Sequence, residues 1–310
     1  MKKIGPIDLR KVKTYSLKGR RSKVSLSDLG SPFRPGKSFK VFLDSLPGVL
    51  AARDFREVAE AIVRAHKREK VVVLGMGAHP IKVGINPVII DLMKRGVINA
   101  IAMNGAGIIH DFELASAGKT SEDVAESLGH GTFGMAEETG RILNQAIIKG
   151  VSKGIGIGES VGREILRGKY PYKDKSILAT GAKLNIPVTV HVAIGTDIIH
   201  MHPSASGSAI GEGSHIDFRV FTSVISQLEG GVYINLGSAV IMPEVFLKAL
   251  TIARNLGHKI KRFTTVNMDF IQHYRPSVNV LTRPGGKGYA ITGHHEIMFP
   301  LLAAAVLERM

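Results

Sequence analysis

The sequence predicts an α/β fold in which one open, mostly parallel sheet carries helices on both faces. Apolar runs typical of buried parallel strands recur along the chain, and several of them end in glycine. Segments with helical spacing of apolar residues separate these runs. The 310 residues, 44% of them hydrophobic and 22% charged, have the composition of a folded protein. The absence of cysteine excludes disulfides, thiolate metal sites and cysteine nucleophiles.

The first half of the chain predicts a parallel strand–helix–strand unit. A helix over 54–68 leads into an apolar strand at 71–74, which ends in a glycine-containing turn at 75–80. A helix at about 86–95 then precedes a second strand at 99–103 and a glycine turn at 104–107.

The second half continues the alternation after a helical region at 134–168, which is broken around 150–158. A loop at 169–172 precedes a helix at 176–184, a strand at 187–192, a helix at 218–228, a strand at 231–236, a helix at 244–256 and a strand at 263–267. The glycines of 154–162 suggest a dinucleotide fingerprint, but their spacing departs from GxGxxG and no strand precedes them. We interpret this segment as a helix break.

The positive charge is concentrated at the N-terminus. Lys and Arg exceed Asp and Glu by 41 to 26, a net charge of +15, and residues 1–40 hold twelve basic and two acidic residues of this total, or +10. We therefore predict a basic arm over 1–40 and a single α/β domain over 41–310. A solvated tail is the favoured interpretation of the arm, with an inter-subunit arm and nucleic-acid contact as alternatives. No apolar run is long enough for a membrane span and no secretory signal is present, so a cytoplasmic protein without membrane or nucleic-acid partners is expected.

Glycine turns at strand ends indicate where a ligand would bind. In an open parallel sheet the ligand lies beyond the carboxyl ends of the strands, where small residues let backbone N–H groups approach a phosphate. The candidate cofactor-binding residues at these ends are Gly75, Gly77, Ala78, His79, Asn104, Gly105, Ala106, Gly107, Thr196, Gly237, Ser238, Ala239, Val266 and Asn267.

Several histidines lie in or near the same loops and are accompanied by acids. Such pairs suit general acid–base catalysis or ligand hydrogen bonding. The candidates are His110, Asp111, Asp197, His200 and His294. His200 and His202, with Asp197 nearby, also have a spacing that a divalent metal could use. Without a fixed third ligand, the sequence leaves the presence of a metal open.

Two further loops are weaker candidates. Ser204, Ser206 and Ser208 lie near His202, but the segment has flexible-loop composition and lacks a GxSxG elbow, so a serine nucleophile is not favoured. The segment 283–288, RPGGKG, resembles a phosphate-binding loop only in composition, since the spacing and the residue after the lysine differ from a Walker A motif. We interpret it as a mobile loop rather than as a phosphate site.

The order of segments from about residue 71 to 307 resembles that of deoxyhypusine synthase. VVVLGMGAHPIKVGINPVIIDLMKRGVINAIAMNGAGIIHDFELA is similar to the first nucleotide-binding strands of that family and their turns. KLNIPVTVHVAIGTDIIH, YINLGSAVIMPEVFLKALTIARNLGH, FTTVNMDF and HHEIMFPLLAA follow in the corresponding order. The resemblance implies a Rossmann-like NAD-binding fold, a homotetramer with sites at subunit interfaces, and transfer of a butylamine group from spermidine to a lysine.

The resemblance also implies roles for particular residues. It places cofactor contacts on the glycine turns named above and on His294 and His295. The family's imine-forming lysine lies in a Trp-Gly-Lys motif, which is missing because this chain has no tryptophan. Lys287 is the only lysine near the corresponding loop and is the candidate for that role. The family's pocket histidine and asparagine correspond to Pro243 and Leu247, and its paired glutamates to Ile109 and His110.

Three functional hypotheses follow. The first is an NAD-dependent enzyme of the deoxyhypusine synthase fold with a diverged substrate. Because a polyamine needs carboxylates and acids are scarce in the matching loops, we predict a neutral or anionic small-molecule substrate. The second keeps the aminobutyl transfer of a deoxyhypusine or homospermidine synthase. The third is a nucleotide-binding or interaction protein without enzymatic activity.

Overall fold

A computed structural model describes residues 4–310 and shows one six-stranded sheet in which every strand pair is parallel. The strands are β1 (Val72–Met76), β2 (Ala100–Asn104), β3 (Val188–His191), β4 (Val232–Leu236), β5 (Thr264–Asp269) and β6 (Lys287–Thr292). Their order across the sheet is β3-β2-β1-β4-β5-β6. This order defines the Rossmann type of open α/β sheet, so the predicted fold class is confirmed.

Thirteen α-helices accompany the sheet in the described part of the chain. They are α1 (Phe39–Ser45), α2 (Leu50–Lys67), α3 (His79–Lys82), α4 (Asn86–Lys94), α5 (Gly105–Ala117), α6 (Val124–Leu128), α7 (Glu137–Val151), α8 (Ile157–Arg167), α9 (Ile177–Leu184), α10 (Gly207–Ile225), α11 (Ile241–Asn255), α12 (Tyr274–Pro276) and α13 (His295–Leu307).

The sheet is covered on both faces, which explains why its strands lack alternation of apolar and polar residues. Every residue of β1 and β4 is buried. On one face Tyr233 stacks on Phe246 of α11, with ring centroids 3.9 Å apart, and Phe221 of α10 joins this core. On the other face Leu74 and Ile234 belong to a larger core that includes α2 and α13.

The edge strand β3 is held by a buried aspartate from α10. Asp217 accepts hydrogen bonds from the backbone N–H groups of Gly158 (2.9 Å) and Val190 (2.8 Å), and thereby joins the first turn of α8 to β3. Gly158 itself lies against the strand, because a Cβ at this position would be 1.8 Å from the Val188 carbonyl oxygen. Asp217 and Gly158 therefore fix where α8 packs.

Three local predictions are wrong. The segment predicted as a mobile loop turns at Pro284–Gly286 and enters β6 at Lys287. The helix predicted from 218 begins at Gly207, because the hydroxyl of Ser206 caps it by accepting from the Ala209 N–H. The residues after β2 form the first turn of α5 rather than a separate glycine turn.

The N-terminal arm makes little contact with the domain. Its large apolar side chains from Ile4 to Leu29 are more than half exposed, and it contains three single-turn 3₁₀ helices. Contact with the domain starts near Asp28, whose carbonyl accepts from the Gly48 N–H (2.8 Å). Within residues 4–310, no helix combines the length and the apolar composition needed to cross a bilayer.

Candidate functional site

The candidate site lies at the C-terminal ends of the parallel strands, around the place where the strand order reverses. We call this side of the sheet its carboxyl edge and the opposite side its amino edge. β1 is followed along the chain by β2 on one side, whereas β4 lies on its other side. In open α/β sheets the crevice outside this switch point binds ligands. The loops that follow the six strands therefore determine which ligand the site can bind and which chemistry it can support.

Two glycines bring the ends of β1 and β4 together. The Gly77 N–H donates to the Leu236 carbonyl (3.0 Å), and a Cβ on Gly77 would lie 2.3 Å from the Gly237 carbonyl oxygen. Gly237 has a φ of +63°, in the left-handed region that favours glycine. Gly77 must be glycine because the Gly237 carbonyl lies where its Cβ would be, and Gly237 favours glycine because of its φ, so the loops after β1 and β4 pack closely together.

A buried histidine–carboxylate pair lies over β4 and β5. His295 is 1% exposed, and its Nε2 lies 3.5 Å from Oδ1 of Asp269. Within residues 4–310 neither ring nitrogen of His295 reaches a hydrogen-bond partner. Burial by itself would raise the pKa of Asp269, but His295 and the Phe270 N–H outweigh it and lower that pKa. The pair therefore holds an ionised carboxylate beside an imidazole with unused hydrogen-bonding capacity.

Aromatic rings surround this pair at the surface of the crevice. The ring of His79, at the start of α3, lies 5.1 Å from that of His295, and the rings of Phe270 and His294 stack at 5.9 Å. Burial and then the charge of His295 lower the pKa of His79, which favours its neutral imidazole. Phe270 and His294 are exposed, so they offer a flat surface at the mouth of the crevice.

A second carboxylate lies over β2 and the N-terminus of α5. Asp197, from the loop after β3, is 6% exposed, and its Oδ2 would be 2.0 Å from a Cβ on Gly105. The position is favourable for an anion because backbone N–H groups such as that of Ala106 point out of the helix N-terminus. Burial nevertheless raises the pKa of Asp197, against the opposing effects of His200, Thr196 and the Ala106 N–H.

His200 orients its ring toward this carboxylate. Its Nδ1 accepts from the backbone N–H groups of Gly195 (3.1 Å) and Asp197 (3.3 Å), which puts the proton of the neutral ring on Nε2. That Nε2 lies 3.8 Å from Asp197 Oδ2. Within the described chain, these two atoms and Oδ1 of Asn104 are all buried without a hydrogen-bond partner. The carboxyl end of β2 thus has two unused acceptors and one unused donor.

The remaining predicted cofactor residues are divided between the crevice and the sheet interior. Ser238 accepts from the Met242 N–H at the start of α11, and Ala78, Ala239 and Thr196 are at least partly exposed in the loops of the carboxyl edge. Four others serve the packing of the sheet. A Cβ on Gly75 would meet Tyr233 and one on Gly107 would meet Met103, while Val266 is fully buried in the core and Asn267 bonds Asn235 (2.7 Å) and Gln272 (2.7 Å).

Two predicted catalytic residues of α5 lie outside the crevice. Asp111 is fully buried and accepts from Asn86, Ser176 and the N–H groups of Ile177 and Leu178, so it anchors the start of α9. Burial raises its pKa to about 6. The neighbouring His110 shares a hydrogen bond with Thr120 (2.7 Å), and burial, followed by the charge of Lys82, lowers its pKa to about 4. We do not include either residue in the proposed site.

Lys287 lies at the opposite edge of the sheet from the other candidates. It is the first residue of β6, and its Nζ is 2.7 Å from Glu57 Oε2. The ammonium group also lies 5.1 Å from the centre of the Tyr289 ring. Because the site lies at the carboxyl edge, this position does not support the imine-forming role that the family resemblance suggested.

The histidines do not assemble a metal site in the part of the chain that the structure describes. No group of three or more His, Cys, Asp or Glu side chains there has metal-binding geometry. His202 bonds Ser204 (2.8 Å) and packs against Gly140, away from the pair formed by Asp197 and His200. The His-x-His spacing places the two rings in different environments.

The sequence interpretation missed Asp269 and Phe270. They lie two and three residues beyond the strand predicted at 263–267, at the edge where ligands bind. Extending that strand by two residues would have identified Asp269 as its last residue and Phe270 as the first residue beyond it, since the carboxyl end of a parallel strand faces the crevice.

Comparison with known proteins shows the fold alone. No protein-family model and no curated protein matches the sequence. Among solved structures, a putative deoxyhypusine synthase from Entamoeba histolytica is similar over 90% of this chain and 96% of its own, with a TM-score of 0.52 and 14% identity. A conserved putative LOR/SDH protein from Methanococcus maripaludis S2 is similar over 92% and 73%, with a TM-score of 0.51 and 16% identity.

A third similar structure contains a dinucleotide. The ternary complex of AgrE with ornithine and NAD⁺ is similar over 84% of this chain, with a TM-score of 0.52 and 14% identity. This chain spans about a third of the length of AgrE, or 34%. The three similarities agree with the Rossmann-type sheet described above.

Proposed function

We propose that this protein is an NAD-binding enzyme that acts on a neutral or anionic small molecule at the carboxyl edge of the sheet. The observation that carries the proposal is the set of buried polar atoms without partners on both sides of the switch point. Buried polar groups are costly unless they form hydrogen bonds, so such a set is typical of a ligand site. NAD⁺ binding by the AgrE structure supports the choice of cofactor.

The residues present fit the two halves of a dinucleotide. Asn104 Oδ1 and Asp197 Oδ2 are acceptors for the hydroxyls of a ribose over β2, where dinucleotide-binding folds place an acidic residue. At the centre, the pyrophosphate would lie against the loops after β1 and β4, where open α/β sheets bind this group. His79, Asp269 and His295 surround the other half, where they would orient the reacting groups and hold or move a proton. Bound NAD would supply hydride transfer.

The charges of the site support a neutral or anionic substrate. Each of the two buried carboxylates at the carboxyl edge, Asp197 and Asp269, already lies beside a histidine. A polyamine would need carboxylates that are free to offset two or three positive charges. Tight spermidine binding would contradict this part of the proposal.

The cofactor assignment is tested by titrating NAD⁺ into the purified protein by calorimetry. We expect wild-type protein to bind NAD⁺, and Asp197→Asn to weaken binding about tenfold, because a charge-assisted hydrogen bond contributes on the order of 1.5–3 kcal/mol. Asp217→Asn is the matched control, since it changes a buried aspartate that bonds α8 and β3 rather than the residues of the proposed site, and it is expected to keep wild-type affinity.

Two results would contradict the proposal. Absence of NAD⁺ binding to folded wild-type protein would contradict the assignment of NAD as the cofactor. Equal NAD⁺ affinity of wild-type protein and Asp197→Asn would contradict the placement of a ribose over β2. Mass spectrometry of small molecules released from the denatured protein provides a second measurement that does not depend on a chosen ligand.

A further inference from the structure

A basic cavity lies at the amino edge of the sheet, opposite the proposed dinucleotide site. It has a volume of about 340 Å³ and borders the first residues of β4, β5 and β6. Five of its lining residues are cationic, and no acidic residue lines it among those described. The cationic residues are Arg64, Arg68, Lys261, Arg262 and Lys287.

The walls of this cavity are held in place by hydrogen bonds of charged side chains. The Arg254 guanidinium donates to the carbonyls of Ile260 (2.8 Å) and Pro284 (2.8 Å), which ties together the loops before β5 and β6. Glu229 accepts from the backbone N–H groups of Lys261 (2.7 Å) and Arg262 (2.8 Å). These contacts lower the pKa of Glu229 to about 2, so it keeps its charge over the whole physiological range.

Glycines keep the cavity open. Gly230 and Gly285 have φ values of +80° and +78°, so other residues would be strained there. A Cβ on Gly285 would meet no atom within 4 Å, which means that a side chain would extend into free space. The glycine-rich segment before β6, which the sequence did not favour as a phosphate site, is thus one wall of a cationic cavity.

Ion pairing accounts for only part of this positive charge. Arg64, Arg262 and Lys287 pair with Glu60, Glu229 and Glu57, all of which lie outside the lining. Within residues 4–310, Arg68 and Lys261 have no ion-pair partner within 4 Å. The dipole of α2 favours cations at its C-terminus and explains Arg64 and Arg68. It does not explain the three cations that come from other segments.

We propose that this cavity binds the phosphoryl group of a small phosphorylated ligand. Arginine guanidinium groups match phosphate oxygens in two-point hydrogen bonds, and lysines add point charge. The two unpaired cations, Arg68 and Lys261, supply the net charge that attracts the anion. The site is separate from the dinucleotide site because it lies at the other end of the strands, so either site can exist without the other.

The test is a calorimetric titration of inorganic pyrophosphate in low-salt buffer, with ³¹P NMR as a second readout. We expect Arg68→Glu and Lys261→Glu each to weaken binding at least about tenfold, which corresponds to 1.4 kcal/mol. Lys13→Glu is the matched control, because it makes the same charge change on the exposed arm and should alter affinity less than twofold. NAD⁺ affinity should not change in any of the three variants.

Several outcomes would overturn the assignment. Equal weakening by all three substitutions would show attraction by net charge only. If neither Arg68→Glu nor Lys261→Glu weakens pyrophosphate binding in folded protein, the anion binds elsewhere. Arg68→Gln and Lys261→Gln replace these charge-reversal variants if the latter do not fold. If a single-stranded RNA binds through the same residues far more tightly than pyrophosphate does, the ligand of this cavity is nucleic acid and not a small phosphorylated molecule. Loss of NAD⁺ binding in these variants would move the dinucleotide to this cavity.

Discussion

At the residue scale, the ring of His295 occupies the space that a side chain at position 237 would need. A Cβ on Gly237 would lie 2.5 Å from His295 Cε1. The lack of a side chain at Gly237 therefore allows the imidazole to lie beside Asp269. This glycine thus serves both the backbone turn and the arrangement of the candidate site. Glycine turns at strand ends are visible in the sequence, whereas the partner of this one, 58 positions further along the chain, is not.

Gly237→Ala is expected to destabilise the protein more than Gly257→Ala does. Both glycines have positive φ, +63° and +91°, so each substitution costs about 1–2 kcal/mol for the left-handed backbone. At Gly257 a Cβ would meet no atom within 4 Å, whereas at Gly237 it displaces His295 as well. We expect an additional loss of about 1–3 kcal/mol in the free energy of unfolding, measured by urea denaturation. Equal losses would mean that His295 moves freely.

The same scale shows why part of the site could not be predicted. His110 and Asp111 have the residue types and the loop neighbourhood of catalytic groups, but their partners decide their role. Asp111 meets Ser176, which lies 65 positions away in sequence, and no local pattern gives that contact. Asp197 fell within the predicted set because it lies shortly after a predicted strand and near His200, whereas His295 was included only because of the family resemblance.

At the element scale, α8 and β3 are joined through one carboxyl group. Asp217 accepts from an N–H of each element, and burial raises its pKa to about 7, with the Gly158 and Val190 N–H groups opposing that shift. The folded protein thus binds a proton at this group that the unfolded chain, with a normal pKa of 3.8, releases. This contribution to stability is present below about pH 4 and is lost as the pH rises through 7.

Asp217→Asn is therefore expected to change the pH dependence of stability. The free energy of unfolding of wild-type protein should fall relative to that of the variant between about pH 4 and 7, by up to about 1.4 kcal/mol per pH unit. The difference between the two proteins is the useful quantity, because His110 and His191, whose burial lowers their pKa values to about 4 and 3, act in the opposite direction. Asp174→Asn, at an exposed site, should show no such trend. A constant difference across this interval would contradict the raised pKa.

Elements that are buried on both sides were the predictable ones. β1, β2 and β4 are apolar apart from Asn104 and Asn235, and their predicted positions agree with the structure to within a residue or two. β6 has a different character, because four of its six residues are exposed and it begins with Lys287 and Gly288. The start of α10 was hidden by its composition, since Ser206, Gly207 and Ser208 suggest a loop until Ser206 is seen to act as the helix cap.

At the scale of the whole molecule, the sequence predicted a basic arm joined to a domain with little net charge. The structure adds that the arm contributes few contacts to the described domain, while the amino edge of the sheet gathers cations of its own. The distribution of charge along the sequence does not predict the second basic region, because the cavity at the amino edge is assembled from three distant segments.

Deletion of residues 1–24 is expected to leave the stability of the domain unchanged. The described side chains of this segment are exposed, so removing them uncovers no core. We expect the free energy of unfolding to change by less than about 0.5 kcal/mol in urea denaturation, as is usual for surface changes. A loss of several kcal/mol at protein concentrations where wild-type protein is monomeric would show that the arm packs on the domain. Dissociation of an oligomer on deletion would instead identify it as an inter-subunit arm.

The strand order also has a consequence for how the crevice comes into existence during folding. The central pair of the sheet joins Val72 to Val232, 160 positions further on, and the ring of His79 meets that of His295 near the other end of the chain. Closing such large loops costs entropy before any contact offsets it, so contacts of this kind form slowly. We expect the strands and helices of each half to acquire protection from solvent exchange first, and the carboxyl edge to be among the last regions to become ordered.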